Sequence, residues 1–143
     1  MNITIITVGK PQLSFAQKGI AEYMKRLSRF EKITIYHVKE NSKTDEIIIK
    51  HIGRSWCIVL DEQGTEYSSH QLSELFENHK NQSNNIALVV GGPDGHSDII
   101  RNRADSLWSL SKLTFPHDVA VMIMLEAIYR AATINAGHPY HRD

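Results

Sequence analysis

Two apolar runs with no polar residue at alternate positions constrain this chain most. They are "CIVL" at 57–60, inside "WCIVLD", and "IALVV" at 86–90, inside "NIALVVGG". A strand that wets one face alternates apolar and polar residues; a strand covered on both faces reads as one apolar stretch. Both runs therefore predict central strands of a parallel sheet. Shorter β-branched segments join them: "ITIITV" at 3–8, "KITIYHV" at 32–38 and "SLWSL" at 106–110. Helical patterns separate the strands. After Pro11 and Ser14, residues Ile20, Tyr23, Met24 and Leu27 share one helical face. "SKTDEIIIKHI" predicts a short helix. "SSHQLSELFENHK" predicts one capped by Ser68 or Ser69, and "SDIIRNRA" one capped by Ser97. Residues 116–136 predict a long helix stopped by Gly137. Strand and helix alternate to the end, so the expectation is one α/β domain over 1–143: a mainly parallel sheet with helices on both faces.

Composition narrows the setting. The chain has 143 residues, 41% of them hydrophobic, enough for a single core. Its opening, "MNITIITVGK", is too short and polar for a signal peptide, and no stretch reads as a membrane span. Cys57 is the only cysteine, so no internal disulfide forms and a reducing, cytoplasmic setting is expected. Sixteen basic residues balance sixteen acidic ones, which argues against non-specific nucleic-acid binding. The distribution is uneven. Lys10, Lys18, Lys25, Arg26, Arg29 and Lys32 face only Glu22 and Glu31, a pattern that fits a solvated helix face more simply than a phosphate patch.

Ligands of open α/β sheets bind at the C-terminal ends of strands. Two such ends are unusual here. One runs into "GGPDGHS" at 91–97; the other, with Leu60 at its lip, runs into "LDEQGTEYS". Neither is G-x-G-x-x-G or a P-loop, and Gly91-Gly92 alone fits a tight turn as well as a ligand. His138 and His141 have H-x-x-H spacing without a thiolate or carboxylate beside them, so no metal site is expected. Ser109 and Ser111 lack the glycine elbow of a serine hydrolase. Glu126 and Arg130 have the spacing of an ordinary intrahelical ion pair. More pointed are the polar segment "SLSKLTFPHD", set against the apolar "VAVMIML" at 119–125, and the tail "GHPYHRD". The tail crowds imidazole, phenol and guanidinium groups, which can grip phosphate and move a proton.

Taken together, "VGGPDG", "SLSKLTFPH", "LEAIYRA" and "HPYHRD", in this order after "ITVGK", resemble the ribosomal RNA large subunit methyltransferase H family. That family belongs to the SPOUT class of S-adenosylmethionine-dependent methyltransferases. The resemblance implies a homodimer, a C-terminal trefoil knot, and N3-methylation of a pseudouridine in large-subunit ribosomal RNA; the near-neutral charge argues against naked RNA as the substrate and favours RNA within the assembled ribosome. The resemblance also implies that Leu110, Ser111, Lys112, Leu113, Thr114 and Phe115 form a loop around the donor, with Leu60 and Gly91 as further cofactor-lining positions. His138, Tyr140, His141 and Arg142 match the closing motif. We assign Arg142 to phosphate or base contact, and His141 and Tyr140 to proton handling. The helix after Pro116 begins apolar on all sides, and one small domain covers only one of its faces, so a second copy is expected on the other. Two departures stand out. Val121 replaces an arginine common in relatives, removing a possible phosphate contact or dimer ion pair, and the segment 38–56 is short. The alternative is a ribosome-associated RNA-binding protein without turnover. A nucleotide-binding α/β enzyme unrelated to RNA is a third possibility.

Overall fold

The structure, a computed structural model, describes residues 1–142. Asp143, the last residue of the closing motif, lies outside them. The elements run β1 (Asn2–Val8), α1 (Ser14–Leu27), β2 (Lys32–Val38), α2 (Thr44–Ile52), β3 (Trp56–Thr65), α3 (Ser69–Asn81), β4 (Ile86–Val90), α4 (Asp98–Arg103), β5 (Ser106–Trp108) and α5 (His117–Ala136). The strands form one sheet in the order β2-β1-β4-β3-β5, and every paired neighbour is parallel. The predicted mainly parallel architecture is the one found.

Strand residues alternate between two cores. Ile3, Ile5, Ile58, Ile86, Leu88 and Val90 face a cluster with α1, α3 and α5. Ile6, Cys57, Val59, Ala87 and Val89 face a second cluster with Ile48 and Ile52 of α2 and Ile100 of α4. All of β4 is buried, which is why its sequence carries no alternation. The edge strand β2 alternates exposed and half-buried residues from Lys32 to His37 and is buried only at Val38.

The chain reaches β3 first, returns to lay β4 between β1 and β3, then passes β3 again to add β5 on the far side. This doubling back gathers the segments that follow β3, β4 and β5 at one end of the sheet. The trefoil knot expected from the resemblance is implied by this fold.

β3 extends beyond the predicted "WCIVLD". Leu60 and Thr65 both pair with Trp108, and the residues between them form a polar excursion. Gly64 closes it: a Cβ there would lie 2.5 Å from the Leu107 carbonyl carbon and 2.7 Å from the Trp108 nitrogen. Ser68 caps α3 through a reciprocal capping box with Gln71, and Ser97 caps α4. The start of α1 has no side-chain cap of its own. The carboxylate of Asp118, at the head of α5, accepts from the N–H groups of Gln12 (2.7 Å) and Leu13 (2.8 Å).

Two sequence readings about α5 need correction. At 20 residues it is long and apolar enough to cross a membrane by length and composition. Here it packs as a core helix, with Val121, Met124, Leu125 and Ile128 buried against the sheet. Val121 is 0% exposed, so its side chain sits in the core and not on a surface where an arginine would meet phosphate or a partner. Val119 and Ile123, on the opposite face, are only half-buried within one chain, while Met122 packs beside Gly19 of α1.

Candidate active site

A cavity of about 440 Å³ opens at the C-terminal ends of β3, β4 and β5. That is within the range of pockets that enclose a nucleoside-sized ligand. Of the predicted cofactor positions, Leu60, Gly91, Leu110, Ser111, Leu113, Thr114 and Phe115 line it, whereas Lys112 does not. The polar segment before α5 thus serves as a cavity wall. Its shape is held locally: the Ser109 hydroxyl donates to the Ser111 carbonyl (2.9 Å), and the Leu113 N–H to the Ser111 hydroxyl (3.0 Å).

Several lining residues escaped the sequence reading. Asp61 and Arg101 form an ion pair at 2.9 Å, the Asp61 side chain nearly buried. The Thr114 hydroxyl donates to Glu62 at 2.9 Å, joining the loop at 110–115 to the excursion in β3. His96 and His117 also line the cavity. His96 Nε2 lies 2.8 Å from the Leu60 carbonyl, and His117 Nδ1 lies 2.8 Å from the Gly91 carbonyl. Burial holds the His96 imidazole below its ordinary pKa. Both histidines stand inside motifs visible in the sequence, "GGPDGHS" and "FPH", but nothing in the spacing marks their carbonyl partners. Gly91 is required for close approach and not for a left-handed backbone. A Cβ there would stand 2.9 Å from His96 Cε1 and 3.0 Å from the Gly95 carbonyl oxygen.

The tail is placed elsewhere. None of His138, Tyr140, His141 and Arg142 lines the cavity of its own chain. His138 packs edge-on against Phe30, and His141 edge-on against His70. Tyr140 packs against Tyr129 (centroids 4.6 Å apart) beneath the Arg130 guanidinium (4.9 Å), and its hydroxyl donates to Glu126 at 2.9 Å. The Glu126–Arg130 pair predicted from spacing is present, with Arg130 Nε at 3.0 Å, and it anchors the tail as well. Burial, then hydrogen bonds with Tyr23 and Glu126, pushes the Tyr140 pKa well above the usual phenol range. Glu126 is nine residues past His117, roughly 14 Å along the helix at 1.5 Å per residue. Arg142 is exposed. Cys57 is buried in β3 with its thiol pushed up to about 11 by burial, as befits a small core residue.

Solved structures share this fold. One is a probable methylase family protein from Haemophilus influenzae, with TM-score 0.63 and 10% identity over 99% of this chain and 70% of that one. Another is a probable methyltransferase from Bordetella pertussis, with TM-score 0.60 and 7% identity over 92% of this chain and 95% of that one. These likenesses show the fold, a parallel α/β sheet with its cavity at the strand ends. A family model described as predicted SPOUT methyltransferase matches residues 1–141, and the chain belongs to that family. Proteins bearing the name ribosomal RNA large subunit methyltransferase H are similar over the full length. The one from Deinococcus radiodurans is 46% identical over 99% of both chains, and that from Clostridium novyi 44% identical over 99% of this chain and all of its own. One from Thermus thermophilus is 35% identical over 99% of both.

SPOUT methyltransferases use S-adenosylmethionine, and the cavity residues fit that donor. Leu110, Leu113 and Phe115 offer apolar walls, Ser111 and Thr114 hydroxyls, and Asp61 and Glu62 carboxylates suited to hydroxyl or amino groups. The protein is an S-adenosylmethionine-dependent methyltransferase.

Proposed function

We propose that this enzyme methylates N3 of a pseudouridine in large-subunit ribosomal RNA, acting as a homodimer on the assembled ribosome in the cytoplasm. The observation that carries the reading is the separation of two halves of one chemistry within a single chain. The donor cavity lies at the strand ends, and the tail with groups for gripping and deprotonating a nucleotide is docked on Glu126 and Tyr129. The full-length likeness to relatives named for ribosomal RNA methylation supports the substrate class. A partner copy seated on the half-buried face of α5 brings its own tail toward this chain's cavity, and the site becomes composite.

When bound, the donor supplies an electrophilic methyl group. The chain's own work is positioning and proton removal. The loop at 110–115, with Leu60 and Gly91, holds the donor. Arg142, exposed and with a guanidinium fork that fits oxygen pairs, grips phosphate or a base edge. Tyr140 keeps its proton at neutral pH, because its hydroxyl is committed to Glu126 and its pKa is raised. The N3 proton therefore goes to an imidazole, and we assign His141.

Incubating the protein with tritiated S-adenosylmethionine and ribosomes from cells lacking it tests this reading, with mass mapping of the labelled RNA. The expected product is one N3-methylated pseudouridine in the large-subunit RNA. Label on another nucleotide, or none, overturns the assignment.

A further inference from the structure

The β3–β4 ladder ends at the pair Val59 and Val89. Leu60 and Gly91 lie just past it and line the cavity, where β3 and β4 no longer pair with each other. Both carbonyls are part-buried, where a donor is worth more than in open water. Here each is met by a histidine from a different segment: His96 in the loop after β4, and His117 at the first turn of α5. A carbonyl only accepts, so each ring nitrogen in contact carries a hydrogen: Nε2–H in His96 and Nδ1–H in His117. The two rings thus use opposite nitrogens for the same task. His96 also fills the space in front of Gly91, with Cε1 2.9 Å from where a Cβ would stand. His117 Nε2 is buried with no hydrogen-bond partner among the described residues, which suits a nitrogen at a cavity wall better than one in a finished core.

We propose that His96 and His117 are positioning residues of the donor site, two imidazole braces that hold the Leu60 and Gly91 carbonyls in place before the ligand arrives. This rests on the reading of the cavity as the donor pocket. The braces act through the main chain, so they preform the floor on which a nucleoside ligand lies and reduce the ordering that binding would otherwise require.

Amide side chains provide the test, because the amide nitrogen of Gln overlays imidazole Nε2 and that of Asn overlays Nδ1. His96→Gln and His117→Asn keep a donor to the carbonyl; His96→Asn and His117→Gln misplace it. Affinity for S-adenosylhomocysteine is measured by calorimetry on the full-length protein, and donor KM and ribosome KM are measured separately. The matched amides are expected to bind within about threefold of the native chain. The mismatched amides are expected to bind about tenfold more weakly, the equivalent of one lost hydrogen bond, with donor KM raised and ribosome KM unchanged. Thermal melts confirm folding, and each histidine is judged on its own pair, so a variant that fails to fold leaves the other pair decisive. Equal affinity for matched and mismatched amides overturns the braces while leaving the donor pocket standing. Absence of S-adenosylhomocysteine binding by the native chain overturns the pocket reading and the braces with it.

Discussion

At Gly91 one missing atom decides the site. A side chain there meets the ring of His96 and the Gly95 carbonyl, not open cavity, so Gly91→Val acts by pushing His96 off Leu60. Gly91 has no positive φ and the collision is with a surface loop, so the fold is expected to survive. Affinity for S-adenosylmethionine should fall at least about tenfold, the loss of one hydrogen bond with its geometry. Calorimetry on the folded variant showing native affinity would contradict this. Much of the cavity lining was legible at this scale. Leu60, Gly91 and most of the loop at 110–115 line one cavity, and the tail residues stand out by composition alone. His96 and His117 were not. Their partners lie 36 and 26 residues away in sequence, and an imidazole donating to a distant carbonyl leaves no periodic mark.

Among the elements, α5 ties the molecule together. Asp118 in its first turn holds the segment leading into α1, bonding the N–H groups of Gln12 and Leu13 more than 100 residues away. Asp118→Ala removes the acceptor from both N–H groups, which lie on exposed residues that water can reach, with an expected cost of about 1 kcal/mol. Urea unfolding checks it, and a change below about 0.5 kcal/mol would show the bonds are dispensable. The half-buried face of α5 yields a second prediction. Ile123→Asp should convert the proposed dimer to monomers, because an unpaired charge in an apolar interface costs several kcal/mol, on the order of 3–5. Light scattering that finds the native chain already monomeric would contradict the assigned interface. Helix ends were legible wherever the signal is local: Ser68, Ser97 and Gly137 stand where their sequence neighbours predict. The end of β3 was not. "DEQG" reads as loop, and only its return to Trp108 across the sheet makes Thr65 part of a strand. Val121 misled for a related reason, since position along a helix does not say which face is turned inward.

For the molecule as a whole, burial of imidazoles sets the response to acid. His37, His79 and His96 all have pKa values lowered from 6.5, each chiefly by burial. The unfolded chain then binds more protons than the folded one as pH falls below 6.5, so stability is full above that value and declines beneath it. The urea midpoint should be lower at about pH 5.5 than at about pH 7.5, and His96→Gln should reduce the drop. A flat profile would contradict it. The parallel architecture was legible from two unalternating strands, but the knot was not. Strand order depends on which neighbour each strand joins, and threaded chains are rare enough to be set aside without a resemblance to point to them. Nor could the sequence show that the tail docks away from its own cavity, since that depends on Glu126 and Tyr129 meeting Tyr140 in space.

The separation of tail and cavity is the central claim, and mixing two defective chains tests it most directly. One chain lacks residues 138–143; the other carries Gly91→Val. The tail-deleted chain should be inactive on ribosomes while still binding S-adenosylmethionine, and the Gly91→Val chain should turn over only weakly when tritiated donor is kept well below its weakened affinity. After unfolding and refolding together in equal amounts, half of the dimers pair one chain of each kind. Such a dimer holds one intact cavity beside one intact tail, so about a quarter of native activity is expected. Full activity of the tail-deleted chain alone, or no activity in the refolded mixture when both chains pair, would contradict a site assembled from two copies.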